Sequence, residues 1–140
     1  MRCDPRPLQW VLDAAWHGTP TPLDTCGLIR LGGPDHQRIL QSEHPVDRVI
    51  LENSRLWAKR RPELAPANAE QQSSTLFDCA AVYLAVSEDL CTMEEIPIPV
   101  TSDGFTRMDA KGRLVRVVTE WKDIQGFHRW LADRIAGKSS

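Results

Sequence analysis

The apolar positions of this chain switch between a helical and a strand period, and each switch marks an element. In residues 4–16, Leu8, Val11, Leu12 and Ala15 recur at helical spacing, with Asp4 placed to cap the helix and Pro5 to open its first turn. Gly18, Pro20 and Pro22 end it. Residues 23–31 read as a short strand, closed by Gly32-Gly33-Pro34. A short helix is expected over residues 35–41. In the next helix, capped by Ser42 or His44 and opened by Pro45, the apolar stripe is Val46, Val49, Ile50, Asn53, Leu56 and Trp57. Lys59, Arg60 and Arg61 fall at its C-terminal end, where cations complement the helix dipole.

Residues 63–74 form a polar loop of a length often tied to function. A helix follows over residues 75–87, with Ser74 as its cap and Leu76, Cys79, Ala80, Tyr83 and Leu84 on its buried face. Ile96, Ile98 and Val100 alternate as a strand, which Pro97 and Pro99 place at a sheet edge. Ser102-Asp103-Gly104 is turn chemistry. Residues 114–121 are rich in β-formers, with Val115 and Val117 on one face. Asp123 caps a last helix carrying Ile124, Phe127, Leu131 and Ile135, and Gly137-Lys138-Ser139-Ser140 trails from it. Helices and strands alternate without an internal repeat. The expected class is α/β, a mixed sheet with flanking helices, in a single domain spanning 1–140.

Composition narrows the function classes. Among 140 residues, 17 Lys and Arg face 19 Asp and Glu, so there is no basic surplus to neutralise nucleic acid phosphates. No apolar run reaches membrane-spanning length, and Met1-Arg2-Cys3-Asp4-Pro5 lacks the apolar segment of a signal peptide, so a cytoplasmic location is expected. Cys3, Cys26, Cys79 and Cys91 are scattered, as are His17, His36, His44 and His128; reduced thiols and packing or surface histidines are the expectation. No phosphate-binding glycine loop and no Gly-x-Ser-x-Gly elbow is present. Glu88-Asp89 and Glu94-Glu95 are adjacent pairs whose side chains diverge into solvent.

Asp78 stands apart. It lies one turn into an otherwise apolar helix, just past the long polar loop. Such a carboxylate is either stabilised by the helix's positive end or is a ligand to something, and the residues alone leave both readings open. Trp121 and Trp130 sit in apolar patterns and read as packing. Trp57 precedes the polar loop, where stacking on a ligand ring is the alternative to packing.

The run Thr75-Leu76-Phe77-Asp78-Cys79-Ala80-Ala81-Val82-Tyr83-Leu84 resembles the C-terminal catalytic helix of the inosine-uridine nucleoside hydrolases, which a His-Asp motif opens. Further segments resemble the family in order: Cys3-Asp4-Pro5, Pro22-Leu23-Asp24-Thr25, Arg38-Ile39-Leu40 with His44-Pro45-Val46, and Ile96-Pro97-Ile98-Pro99-Val100. Asp103-Gly104-Phe105-Thr106-Arg107-Met108, Val115-Arg116-Val117-Val118-Thr119 and the closing helix from Asp123 complete the set. The resemblance implies a partial nucleoside-hydrolase-like, Rossmann-like layered fold. It also implies a calcium ion held by carboxylates, a ribonucleoside substrate, and cleavage of the N-glycosidic bond through an oxocarbenium-like state. Asp78 matches the family's C-terminal metal-binding aspartate and is thereby the expected contact to metal and substrate.

The sequence departs from the family in two places. Phe77 occupies the position of the histidine that protonates the leaving base, and a phenyl ring has no proton to give. The family's Asp-x-Asp-x-Gly-x-Asp-Asp cluster has no counterpart here. The expectation is therefore a nucleoside N-ribohydrolase of purine or pyrimidine salvage, or its C-terminal fragment, inactive alone. Its partners would be a missing N-terminal half or further copies of the chain. The alternative is a non-catalytic relative that keeps the scaffold as a binding or interaction module.

Overall fold

The computed structural model describes residues 4–14, 17–63 and 70–137. The expectations for Cys3, Ala15, residues 64–69 and Lys138-Ser139-Ser140 lie outside the described residues. In chain order the elements are α1 (Arg6–Asp13), α2 (Leu23–Cys26), α3 (Gly33–Leu40), α4 (Pro45–Arg60), α5 (Asp78–Leu84), β1 (Cys91–Ile98), β2 (Arg113–Trp121) and α6 (Ile124–Ile135). The class is α/β, with helices flanking an antiparallel β1–β2 pair. Among the described residues, no helix is long and apolar enough to cross a membrane.

The pair is irregular at one point, and the irregularity sorts its side chains. Thr92 pairs with Glu120 but Met93 with Val118, so Thr119 is an extra residue in β2, with its hydroxyl on the Glu94 carboxylate at 2.9 Å. Such a bulge reverses the alternation of a strand. Val115 and Val117 face α1 and residues 20–23, as their alternation predicts. Val118 faces the opposite way, and beyond the bulge Trp121 joins it there, packed with Cys91 and Met93 from β1. Both faces of β2 are thereby covered.

The main core lies on the Val118 side. Phe127 of α6, fully buried, sits 4.4 Å from Trp121, 5.4 Å from Tyr83 and 5.8 Å from Trp130, measured between ring centroids. Edge contacts dominate around Tyr83, where rings meet at 76° and 78°. The polar ends of these rings are also used. Trp121 Nε1 donates to the Thr25 carbonyl at 3.0 Å, and the Tyr83 hydroxyl accepts from Leu90 N at 3.2 Å while donating to Ser87 Oγ at 3.1 Å. Asp123 caps α6 as expected, accepting from Gly126 N at 2.7 Å. A Cβ on Gly126 would lie 2.4 Å from the Asp123 carboxylate, so glycine is required for that cap.

Several element bounds differ from the periodicity. The expected strand at 23–31 begins instead as α2, because Thr25 N and Cys26 N both donate to the Pro22 carbonyl, and residues 29–31 are not in a strand although Ile29 O and Leu31 O accept from Leu76 N and Ser73 N. The helix expected from residue 75 starts at Asp78, because the backbone before it is spent elsewhere. Ser73 N donates to Leu31 O at 2.8 Å and Leu76 N to Ile29 O at 2.9 Å, zipping residues 73–76 to residues 29–31. Ser74 is therefore not the cap. Asp4 accepts from Arg6 N at 3.0 Å but stands outside the cap position, which Pro5 holds, and α1 ends at Asp13. His44 caps α4, its Nδ1 accepting from Val46 N at 3.4 Å.

Phe127→Ala is expected to cost about 3–5 kcal/mol, since it empties the centre of the ring cluster; urea unfolding measures it. Asp123→Ala is expected to cost about 1 kcal/mol. Gly126→Ala should cost at least as much as Asp123→Ala, because it displaces the same carboxylate.

Candidate functional site

The zipped backbone of residues 29–31 and 73–76 fixes one wall of a cleft of about 680 Å³, and α4 forms the other. Leu31, Ile39, Leu131 and Ile135 form its floor, drawn from residues 29–31, α3 and α6. Ile50, Leu51 and Trp57 line the α4 side; Leu76, Phe77 and Cys79 line the other. Asn53, Ser54, Ser73, Ser74 and Thr75 supply polar groups. A mostly apolar concavity with a few polar atoms is the usual character of a small-molecule site.

Asp78 is the first residue of α5 and is exposed. Its neighbours Phe77 and Cys79 both line the cleft, while Asp78 itself is not among the lining residues. Burial, then the adjacent Asp78 carboxylate, push the Cys79 thiol above its ordinary range. That keeps it protonated near neutrality and unsuited to nucleophilic attack. Trp57 and Phe77 line the cleft and remain 39% and 45% exposed. Trp121 and Trp130 pack against the core as expected.

Calcium takes about six to eight oxygen ligands. Among the described residues no three His, Cys, Asp or Glu side chains gather closely enough to hold a metal ion. The Asp78 carboxylate alone therefore does not fit a calcium site.

Two residues gained importance only from the fold. His36, on α3, lines the cleft, is 5% exposed, and its Nδ1 has no hydrogen-bond partner. Its spacing with Ile39 marks an inward face of α3, but nothing in the sequence places that face on a cleft. Asp47 is fully buried with neither carboxylate oxygen hydrogen-bonded. It occupies the first turn of α4, whose positive end favours a carboxylate there. The basic run at the end of α4 is exposed, as its helix-terminal position implies.

Charges also tie the helices around the cleft. Arg38 of α3 pairs with Asp35 at 2.9 Å and with Asp133 of α6. Near this bridge two histidines are buried. Burial holds His36 below its ordinary value near 6.5, with Glu70 pulling the other way. His128 is held down by burial in the same way, with Asp35 opposing.

No family model matches the sequence, and no curated protein matches it significantly. Among solved structures, the fold is similar to that of the inosine-uridine preferring nucleoside hydrolase from Bacillus anthracis, with a TM-score of 0.61 and 16% identity. The match takes in 97% of this chain and 42% of the other, so the chain spans less than half the length of that protein. At such identity the likeness is one of fold.

The two histidines give a pH dependence of definite sign. An unfolded chain binds protons at these sites at higher pH than the folded one does. Their contribution to stability is complete above about pH 6.5 and is lost as the pH falls through the folded values. A midpoint series in urea from pH 7.5 to 5 should fall, and the double variant His36→Gln, His128→Gln should fall less.

Proposed function

We propose that this chain supplies the base-binding cleft and one metal-ligating carboxylate of a ribonucleoside N-ribohydrolase, a glycosidase of nucleoside salvage. The observation that carries the reading is the placement of Trp57 and Phe77 on an apolar cleft beside Asp78, in a fold similar to a nucleoside hydrolase. Hydrolysis breaks the bond between the base nitrogen and C1′. Water adds to C1′, the base leaves with a proton, and positive charge builds on the ribose in between. Aromatic faces at Trp57 and Phe77 would hold the planar base, and the apolar lining would keep bulk water from it. Phe77 donates no proton, so the leaving base is protonated by another group or by solvent.

In this reading Asp78 would give one oxygen donor to a calcium ion, the other donors coming from polypeptide beyond these residues, an N-terminal half or a second copy. The chain alone is then inactive. A cytoplasmic location suits the free thiols of Cys26, Cys79 and Cys91. The second reading, a binding module without turnover, draws on Phe77 standing where the resembled family carries its acid, and on Asp78 having no metal-holding cluster around it among the described residues.

Ribose release from inosine and uridine, measured with calcium and with a chelator, separates the two readings. With the remaining metal donors supplied, release is expected to depend on calcium. Asp78→Asn should lower it at least a hundredfold without moving the thermal midpoint. Binding of either nucleoside with no release under any condition would establish the module instead.

A further inference from the structure

We propose that the outward face of α4 pairs with α4 of a second copy of this chain, the two helices antiparallel about a two-fold axis between Ser54 and Arg55. The pairing does not depend on what the cleft binds. It starts from the way α4 divides its surface. Asp47, Leu51, Ser54 and Ala58 recur at the spacing of one helix face, and these are the buried and half-buried residues of the helix. Leu51 packs against the core from that side. Every other residue of α4 is exposed.

The larger apolar stripe of this helix therefore points away from its own chain. Val46, Val49, Asn53, Leu56 and Arg60 fall at intervals of three and four residues, the seam spacing of paired helices. Val46, Val49 and Leu56 keep 53%, 56% and 47% of their surface in water and line no part of the cleft. Ile50 and Trp57 flank this seam on the cleft side, and Glu52 and Lys59 flank it on the other. At 16 residues the helix offers a seam about 24 Å long.

Charge decides what covers it. Glu52 and Lys59 lie two turns apart on one flank, and neither has an ion-pair partner among the described residues. Arg55, farther round the helix, pairs with Glu70 at 3.6 Å. In an antiparallel pair like flanks meet, so the proposed axis sets Glu52 against the partner's Lys59 and Lys59 against the partner's Glu52. The same symmetry brings Ile50 onto the partner's Trp57 and lays the Arg60 stem along the partner's Val49. Other pairings are poorer. Sliding the helices by one heptad sets Glu52 against the partner's Glu52. Running them parallel sets Glu52 beside the partner's Trp57 and leaves both charges single. An unrelated partner would need the same two charges in reverse order, whereas a second copy carries them by symmetry.

Sedimentation equilibrium of the intact chain reads the association, with circular dichroism to establish that each variant is folded. The expected result is a monomer–dimer equilibrium with no larger species. Val49→Asp buries a charge in the seam and should weaken association by about tenfold or more. In the monomer that side chain is exposed, so the fold should survive the change. Glu52→Lys and Lys59→Glu each set like charges across the axis and should weaken association several-fold, while the double variant regains the wild-type affinity to within about twofold. A monomer at every concentration up to about 0.5 mM overturns the proposal. So does a dimer indifferent to Val49→Asp, which must lie on another face. A double variant no tighter than the single ones overturns it as well, because the two charges then do not meet. Should Val49→Asp fail to fold, the charge series decides alone, since Glu52 and Lys59 are both exposed.

Discussion

Four aromatic rings from three elements meet around Phe127, and the floor of the cleft contributed by α6 and its α5 side follow from that meeting. Tyr83 brings in α5, Trp121 brings in β2, and Phe127 and Trp130 belong to α6. With α6 held there, Leu131 and Ile135 form the cleft floor, and Asp133 reaches Arg38 to seat α3. With α5 held there, Phe77 and Cys79 line the cleft. The Thr119 bulge is what allows β2 to take part, since without the change of phase Trp121 would point away from Val118 and toward α1. The hydrogen bond from Trp121 Nε1 to Thr25 extends the same cluster to α2.

The surface left outside this cluster is unusually apolar along α4. Val46, Val49, Ile50, Leu56 and Trp57 all keep a third or more of their surface in water. Contiguous apolar surface of that kind marks a binding face more often than a solvated one. Part of it is accounted for by the cleft, which Ile50 and Trp57 line. The structural relative extends well beyond the matched region.

Much of this was legible in the residues. Period and capping chemistry located α3, α4, α6 and β2 and only the Ile96–Ile98 end of β1; of the two caps offered for α4, His44 holds it, and Asp123 caps α6. The α/β class followed from the alternation, and the ordered resemblance anticipated the fold later matched among solved structures. What local pattern missed was non-local. The start of α5 was placed too early because residues 73–76 look helix-compatible, yet their N–H groups are claimed by residues more than forty positions upstream. The Leu23–Cys26 turn of helix was hidden by β-compatible residues, with Pro22 supplying the carbonyl that nucleates it. His36 was invisible as a lining residue because its place at the cleft depends on how α3 packs against its neighbours. No spacing encodes that.

The central claim is that a nucleoside base occupies this cleft with its sugar directed toward Asp78. Intermolecular nuclear Overhauser contacts between bound inosine and the protein test it most directly. The account predicts contacts from the base protons to the Trp57 and Phe77 rings, and from the ribose protons to the first turn of α5. Contacts confined to the face formed by α1 and β2, or ribose protons buried among Leu31 and Ile39, would contradict it.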